Sequence, residues 1–139
     1  MRQLSNFFHY LFILPRVKFR LNRINKVLKN LKKEVCKNSE WALIISSKSF
    51  DLRLTQYVQV HSLLDFSLCG LAGRKMSNNE LKACVYFCAC LPLYDDFFDK
   101  SDLSEKEIKD LMLAPESFTP ENSVQELFIY LLRIVYKNL

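Results

Sequence analysis

Residues 83–99 read Ala83-Cys84-Val85-Tyr86-Phe87-Cys88-Ala89-Cys90-Leu91-Pro92-Leu93-Tyr94-Asp95-Asp96-Phe97-Phe98-Asp99. No charged side chain occurs from Ala83 to Tyr94, and three carboxylates then follow within five residues. A helix that is apolar on every side is central, with other helices around it, so this stretch predicts the axis of a helical core. At 3.6 residues per turn Asp95 and Asp99 stand one turn apart on one face, with Asp96 beside them. Continued at helical spacing, the stripe puts Asp95 and Asp99 on the side of Leu81 and Cys88. Pro92 removes one backbone hydrogen bond, and a kink in the last turns is expected there. Carboxylates at a helix C-terminus are disfavoured by the helix dipole and by one another. Three of them are comfortable in open water or around a cation, and Mg²⁺ takes one or two carboxylates together with phosphate oxygens.

Upstream of this helix, Ser77 and Glu80 have capping-box spacing and mark its start. Before them a helix is expected from near Ser49 to Gly70–Gly73, with Leu54, Tyr57, Val58, Leu64 and Leu68 forming much of its inner stripe and the glycines stopping it. His61 falls near that stripe and reads as a hydrogen-bonded core histidine. Earlier still, Val17, Leu21, Ile24, Leu28, Leu31 and Val35 alternate spacings of four and three, a seam along a basic helix. Asn38 and Ser39 break it. Downstream, Ser104 and Glu107 form a second capping box for a short helix to about Met112, and Pro115 and Pro120 bracket a loop. Thr119 is expected to cap a last helix with Pro120 at its first position and an inner face of Val124, Leu127, Phe128, Leu131 and Val135. The fold class is therefore all-α, an antiparallel helical bundle.

Composition agrees. The 139 residues are 50% apolar with only two glycines and four prolines, which argues for long helices over short strands joined by tight turns. No uncharged apolar run approaches the ~18 residues that span a bilayer, and Phe7 to Leu14 lacks the small-residue cleavage site of a signal peptide. The five cysteines, Cys36, Cys69, Cys84, Cys88 and Cys90, are odd in number and read as small core hydrophobes in a reducing, cytoplasmic setting. Cys84 and Cys88 share a helix face, but two thiols fall short of the four ligands of a zinc site, and neither histidine has a neighbour at ligand spacing. Trp41 reads as core.

The net charge of +5 is unevenly spread: residues 1–37 carry ten Lys/Arg against one Glu, and the remainder carries an acidic excess. We divide the chain accordingly into a basic N-terminal helical segment, 1–37, and a bundle portion, 38–139, that reads as incomplete at its C-terminus. The basic segment suits a solvated helix or peripheral contact with an anionic membrane. Its basic residues follow no nucleic-acid motif, which argues against that partner.

A nearly all-apolar helix that ends in D-D-x-x-D resembles the first aspartate-rich motif of the class I isoprenoid (terpenoid) synthases, the all-α prenyltransferases and terpene cyclases. The match runs from Tyr86 through Asp95-Asp96-Phe97-Phe98-Asp99. The resemblance implies that Asp95 and Asp99 hold Mg²⁺, with Asp96 a ligand or its partner, and that the metal clamps an allylic prenyl diphosphate. It implies further that Phe87, Cys90 and Leu91 border the pocket for the prenyl chain. Ser47-Lys48-Ser49-Phe50 is similar to the S-[KR]-S-F element of squalene and phytoene synthases, whose polar side chains help to hold diphosphate. Here it lies 48 residues before Asp95, farther than is expected of those enzymes. Arg74 and Lys75 are further diphosphate-contact candidates.

The family also needs a second metal-binding motif in its C-terminal half, and nothing from Lys100 to Leu139 supplies one: Glu105, Glu107 and Asp110 have ordinary surface spacing. The expectation is half of a Mg²⁺–diphosphate site. The alternative is a non-catalytic helical module that pairs with another helix, a second copy or a membrane through the Val17–Val35 seam.

Overall fold

The computed structural model describes residues 2–98 and 104–138, and the side chains of residues 15–96 and 104–138. Six helices lie along the described residues: α1 Arg2–Val35, α2 Ser39–Ser46, α3 Lys48–Leu71, α4 Asn78–Phe98, α5 Glu105–Leu113 and α6 Ser123–Asn138. A 3₁₀ turn, Pro115–Ser117, joins the last two, and no strand occurs among the described residues.

Side-chain pairs fix the directions. From α1 to α3, Lys32 meets Asp51 and Thr55, Asn25 meets Gln59, and Arg20 and Arg23 lie over the Phe66 ring. Numbers fall on one helix as they rise on the other, so the pair is antiparallel. By the same reasoning α4 is antiparallel to α3, through Asp96 with Arg53 and Cys84 with Asp65. α4 is parallel to α1, through Asn78 with Arg23 and Tyr86 with Glu34. Tyr94 on α4 stacks obliquely on Phe128 near the start of α6, while Val135 near its end shares a groove with Ala83 and Phe87. The result is an antiparallel bundle of α1, α3, α4 and α6 with α4 packed against the other three.

The core explains the central position of α4. Leu81, Ala83, Val85, Tyr86, Cys88, Ala89, Cys90 and Leu93 are all buried. All of these but Ala83 meet Leu54 and Val58 of α3, Leu127, Phe128, Leu131 and Leu132 of α6, and Ile24, Leu28, Leu31 and Val35 of α1 in one continuous cluster. The basic segment 1–37 thus contributes its C-terminal half to the same core. The seam from Ile24 to Val35 is buried inside the chain, while Val17 and Leu21 at its start are only partly buried. α4 continues through Pro92, which is itself buried, to Phe98.

Several local expectations shift. Asn38 is not only a break: its side chain accepts from the amides of Glu40 and Trp41 and starts α2, a helix the periodicity did not predict. Trp41 is only partly buried; its Nε1 donates to Glu126 at 3.0 Å and its ring packs on Tyr130. The last helix begins at Ser123, capped by Asn122 accepting from Val124 and Gln125, and not at Thr119-Pro120. On α3 the buried line is Phe50, Leu54, Val58, Ser62, Phe66 and Cys69, whereas Leu64 and Leu68 face outward, 56% and 53% exposed. Each leucine follows a buried residue by two positions, about 200° round the helix. His61 is likewise exposed and stacks on Tyr57. Both capping boxes form: Ser77 with Glu80, and Ser104 with Glu107.

Candidate functional site

The expected site residues separate into two ends of the bundle. At one end α3 begins and α4 finishes. Ser47, in extended backbone between α2 and α3, is the N-cap residue of α3 but makes no side-chain cap bond; its hydroxyl lies 3.2 Å from that of Ser49. Lys48 opens the helix, and Ser47, Lys48 and Ser49 are all exposed. Positive helix dipole, unfilled backbone donors and a lysine therefore coincide there.

Two turns into α3, Arg53 and Tyr57 point at the aspartates of α4. Arg53 Nη2 donates to Asp96 Oδ2 at 2.6 Å, and the Tyr57 hydroxyl donates to Asp95 Oδ2 at 3.2 Å. The hydrogen bond to Asp96 holds the Arg53 guanidinium above its ordinary value, with Asp95 adding to the effect. Asp95 is exposed and Asp96 half-buried. Asp95 shares its α3-facing side with Cys88 and Cys84. Asp99 lies outside the described residues.

The donor set at this end is hard oxygen, the kind Mg²⁺ prefers, and Asp95 is open to solvent. Asp96 is engaged by a cation, so a metal there must compete with Arg53.

Arg74 and Lys75 do not join this cluster. They sit where α3 ends and α4 begins, and Arg74 pairs with Glu80 at 2.5 Å. Glu80 and Asp95 are fifteen residues apart on one helix, about 22 Å along its axis. Arg74 and Lys75 thus belong to the opposite pole, and the sequence could not say so because it gives no helix direction. The expected prenyl-pocket residues divide as well. Phe87 is exposed on a groove, Leu91 is half-buried, and Cys90 is enclosed with its thiol donating to the Tyr86 carbonyl, burial pushing the thiol's pKa up.

That groove, about 570 Å³, runs between α3, α4 and α6 toward the Arg74 pole and is lined by Leu68, Cys69, Met76, Phe87 and Val135 among others. Asp65 and Cys84 also face it. Asp65 was not anticipated at all: its partner is nineteen residues away on another helix, and only the packing of α3 on α4 joins them.

No protein-family model matches the chain, and neither does any curated protein or solved structure. Among the described residues no helix is long and apolar enough to cross a membrane.

Proposed function

We propose that the end of the bundle formed by the start of α3 and the finish of α4 binds a Mg²⁺–prenyl diphosphate complex, as one half of a class I isoprenoid-synthase-like site. The observation that carries this reading is the antiparallel pairing of the two helices. It joins Asp95 and Asp96 to Arg53 and Tyr57, and it brings Ser47, Lys48 and Ser49 to the same end.

In this reading Asp95 and Asp96, with Asp99, bind the metal. Lys48, the two serines and the first amides of α3 accept the diphosphate, where a helix N-terminus favours anions. Arg53 moves from Asp96 toward phosphate oxygen, for which a guanidinium is well matched. Bound there, Mg²⁺ neutralises charge on the leaving diphosphate. The apolar flank of α4 excludes water from the hydrocarbon part of the ligand. A prenyltransferase or cyclase reaction requires the second metal-binding motif in addition.

The test is calorimetric titration of the chain with farnesyl thiolodiphosphate, an unreactive allylic analogue, with and without Mg²⁺. Binding that depends on Mg²⁺, falls at least about tenfold in Asp95→Asn and falls again in Lys48→Ala is expected, since charge-assisted contacts contribute about 1.5–3 kcal/mol each. Affinity that is the same without Mg²⁺, or unchanged in Asp95→Asn, overturns the reading.

A further inference from the structure

Asp65 on α3 and Cys84 and Cys88 on α4 bring one carboxylate oxygen and two sulfurs to within 4.8 Å of one another. Cysteines four apart on a helix lie one above the other on the same face, here the face turned to α3. The Cys84 thiol donates to Asp65 Oδ2 at 2.7 Å and lies 3.5 Å from the hydroxyl of Ser62, a residue with no exposed surface. Cys88 is buried, whereas Asp65 and Cys84 are half-buried and open on the groove.

We propose that Asp65, Cys84 and Cys88 form a binding site for a thiophilic divalent cation, Zn²⁺ foremost, with its fourth position open to the groove. Thiolate ligands select zinc over magnesium, so this site is chemically distinct from the aspartates at the far end of α4. Seven residues separate Cys88 from Asp95, about 10 Å along the axis. Zinc–sulfur bonds of about 2.3 Å and a zinc–oxygen bond of about 2.0 Å require sulfur and oxygen roughly 3.5 Å apart in tetrahedral geometry. The present Cys84–Asp65 pair therefore opens by less than about 1 Å on binding. Both thiol protons leave to solvent as the ion enters, and no redox change is involved. Ser62 is left to donate its hydroxyl to a coordinating sulfur, the outer contact that orients a ligand. Three protein ligands and one open position are the arrangement of a zinc site that takes water or a substrate atom.

The experiment is titration of the reduced, metal-free chain with Co²⁺, read by the thiolate-to-cobalt charge-transfer band, with native mass spectrometry for stoichiometry. The band should saturate at one ion per chain, disappear on addition of Zn²⁺ and persist in excess Mg²⁺. Cys84→Ser and Cys88→Ser should each lose most of it, and Ser62→Ala should weaken binding about 10- to 100-fold. Asp65→Asn, a half-buried position on the other helix, should keep helicity and weaken Co²⁺ binding by about tenfold or more. Cys36→Ser, which removes the exposed thiol, should change nothing. No band at stoichiometric Co²⁺, a band that Cys36→Ser abolishes, one that survives the Cys84→Ser/Cys88→Ser pair, or unchanged affinity in Asp65→Asn overturns the proposal.

Discussion

Arg53 Nη2 and Asp96 Oδ2 stand 2.6 Å apart, and this ion pair ties the second turn of α3 to the last turns of α4. Both side chains keep more than a third of their surface in water, so solvent screens the pair and its contribution to folding is at most about 1 kcal/mol. If Arg53 serves mainly as a latch, Arg53→Met changes stability slightly and nothing else. The proposed function requires more: Arg53→Met lowers the unfolding free energy by no more than about 1 kcal/mol yet reduces Mg²⁺-dependent diphosphate binding about tenfold or more, the loss of one charge-assisted contact. Urea denaturation and calorimetry on the same variant separate the two effects.

Glu34 binds two tyrosines at once. The hydroxyls of Tyr86 on α4 and Tyr130 on α6 each donate to its carboxylate at 2.6 Å, so one α1 side chain links three helices. The bond from Tyr130 and then that from Tyr86 lower its pKa, outweighing burial, with Lys82 and Lys37 adding to the effect. A carboxylate with a depressed folded pKa contributes stability that is full above its unfolded value of 4.5 and is lost as pH falls through the folded value. Glu34→Ala should therefore cost about 2 kcal/mol at neutral pH, two charge-assisted bonds discounted for partial solvent access. The deficit should shrink steadily below pH 4.5 in thermal melts of parent and variant. At the alkaline side the Tyr130 hydroxyl is pushed up to about 12 by burial and by Glu34, so the stability this link contributes should be full below the ordinary tyrosine value of 10 and fade as pH rises toward 12. A variant deficit that does not vary with pH contradicts this assignment.

The end of α3 offers a paired test with two glycines of opposite effect. Gly73 has φ +70°, with its amide bonded to the Gly70 carbonyl and the Arg74 amide bonded to the Cys69 carbonyl, the Schellman pattern that stops a helix. Nothing lies within 4 Å of a Cβ added there, so the cost of Gly73→Ala is backbone strain alone, about 1 kcal/mol. Gly70 is still helical, and a Cβ there would meet Arg20 at an ordinary 3.8 Å. Gly70→Ala should stabilise by about 0.5–1 kcal/mol, the usual gain in a helix interior. Chemical denaturation should give the two substitutions opposite signs.

The stretch from Ala83 to Tyr94 made the helical class and the centrality of α4 legible, because a run without charge has no face to show to water. The caps Ser77–Glu80 and Ser104–Glu107 were legible too, since their chemistry is complete within four residues. What depended on helix direction or packing was not. Ser47 and Lys48 share an end with Asp95 while Arg74 does not, and that follows only from antiparallel α3 and α4. Thr119-Pro120 offered a good start signal for α6, but Asn122 makes the cap and the helix begins three residues later. Asp65 meets Cys84 for the same reason that Ser62 is buried: α3 turns a small polar residue toward α4 at the point of contact, and a search for apolar periodicity passes over serine.

The misread face of α3 yields the sharpest packing test. Leucine spacing selected Leu64 and Leu68 together with Leu54 as one stripe, but only Leu54 is enclosed, at 1% exposure, in the cluster that joins α3 to α4. Removing its side chain leaves a cavity among neighbours that are themselves fixed, so Leu54→Ala should cost about 2–5 kcal/mol. Leu64 is more than half in water, and Leu64→Gln removes little buried area and leaves no polar group unpaired. Its effect should stay within about 0.5 kcal/mol of zero. If the inner face had followed the leucines, Leu64→Gln would bury an amide in the core and cost several times more. The urea midpoints of the two variants therefore test the rotational setting of α3 that turns Asp65 toward α4. A large loss at Leu64 would rotate Asp65 away from Cys84 and remove the geometric basis of the proposed thiolate site.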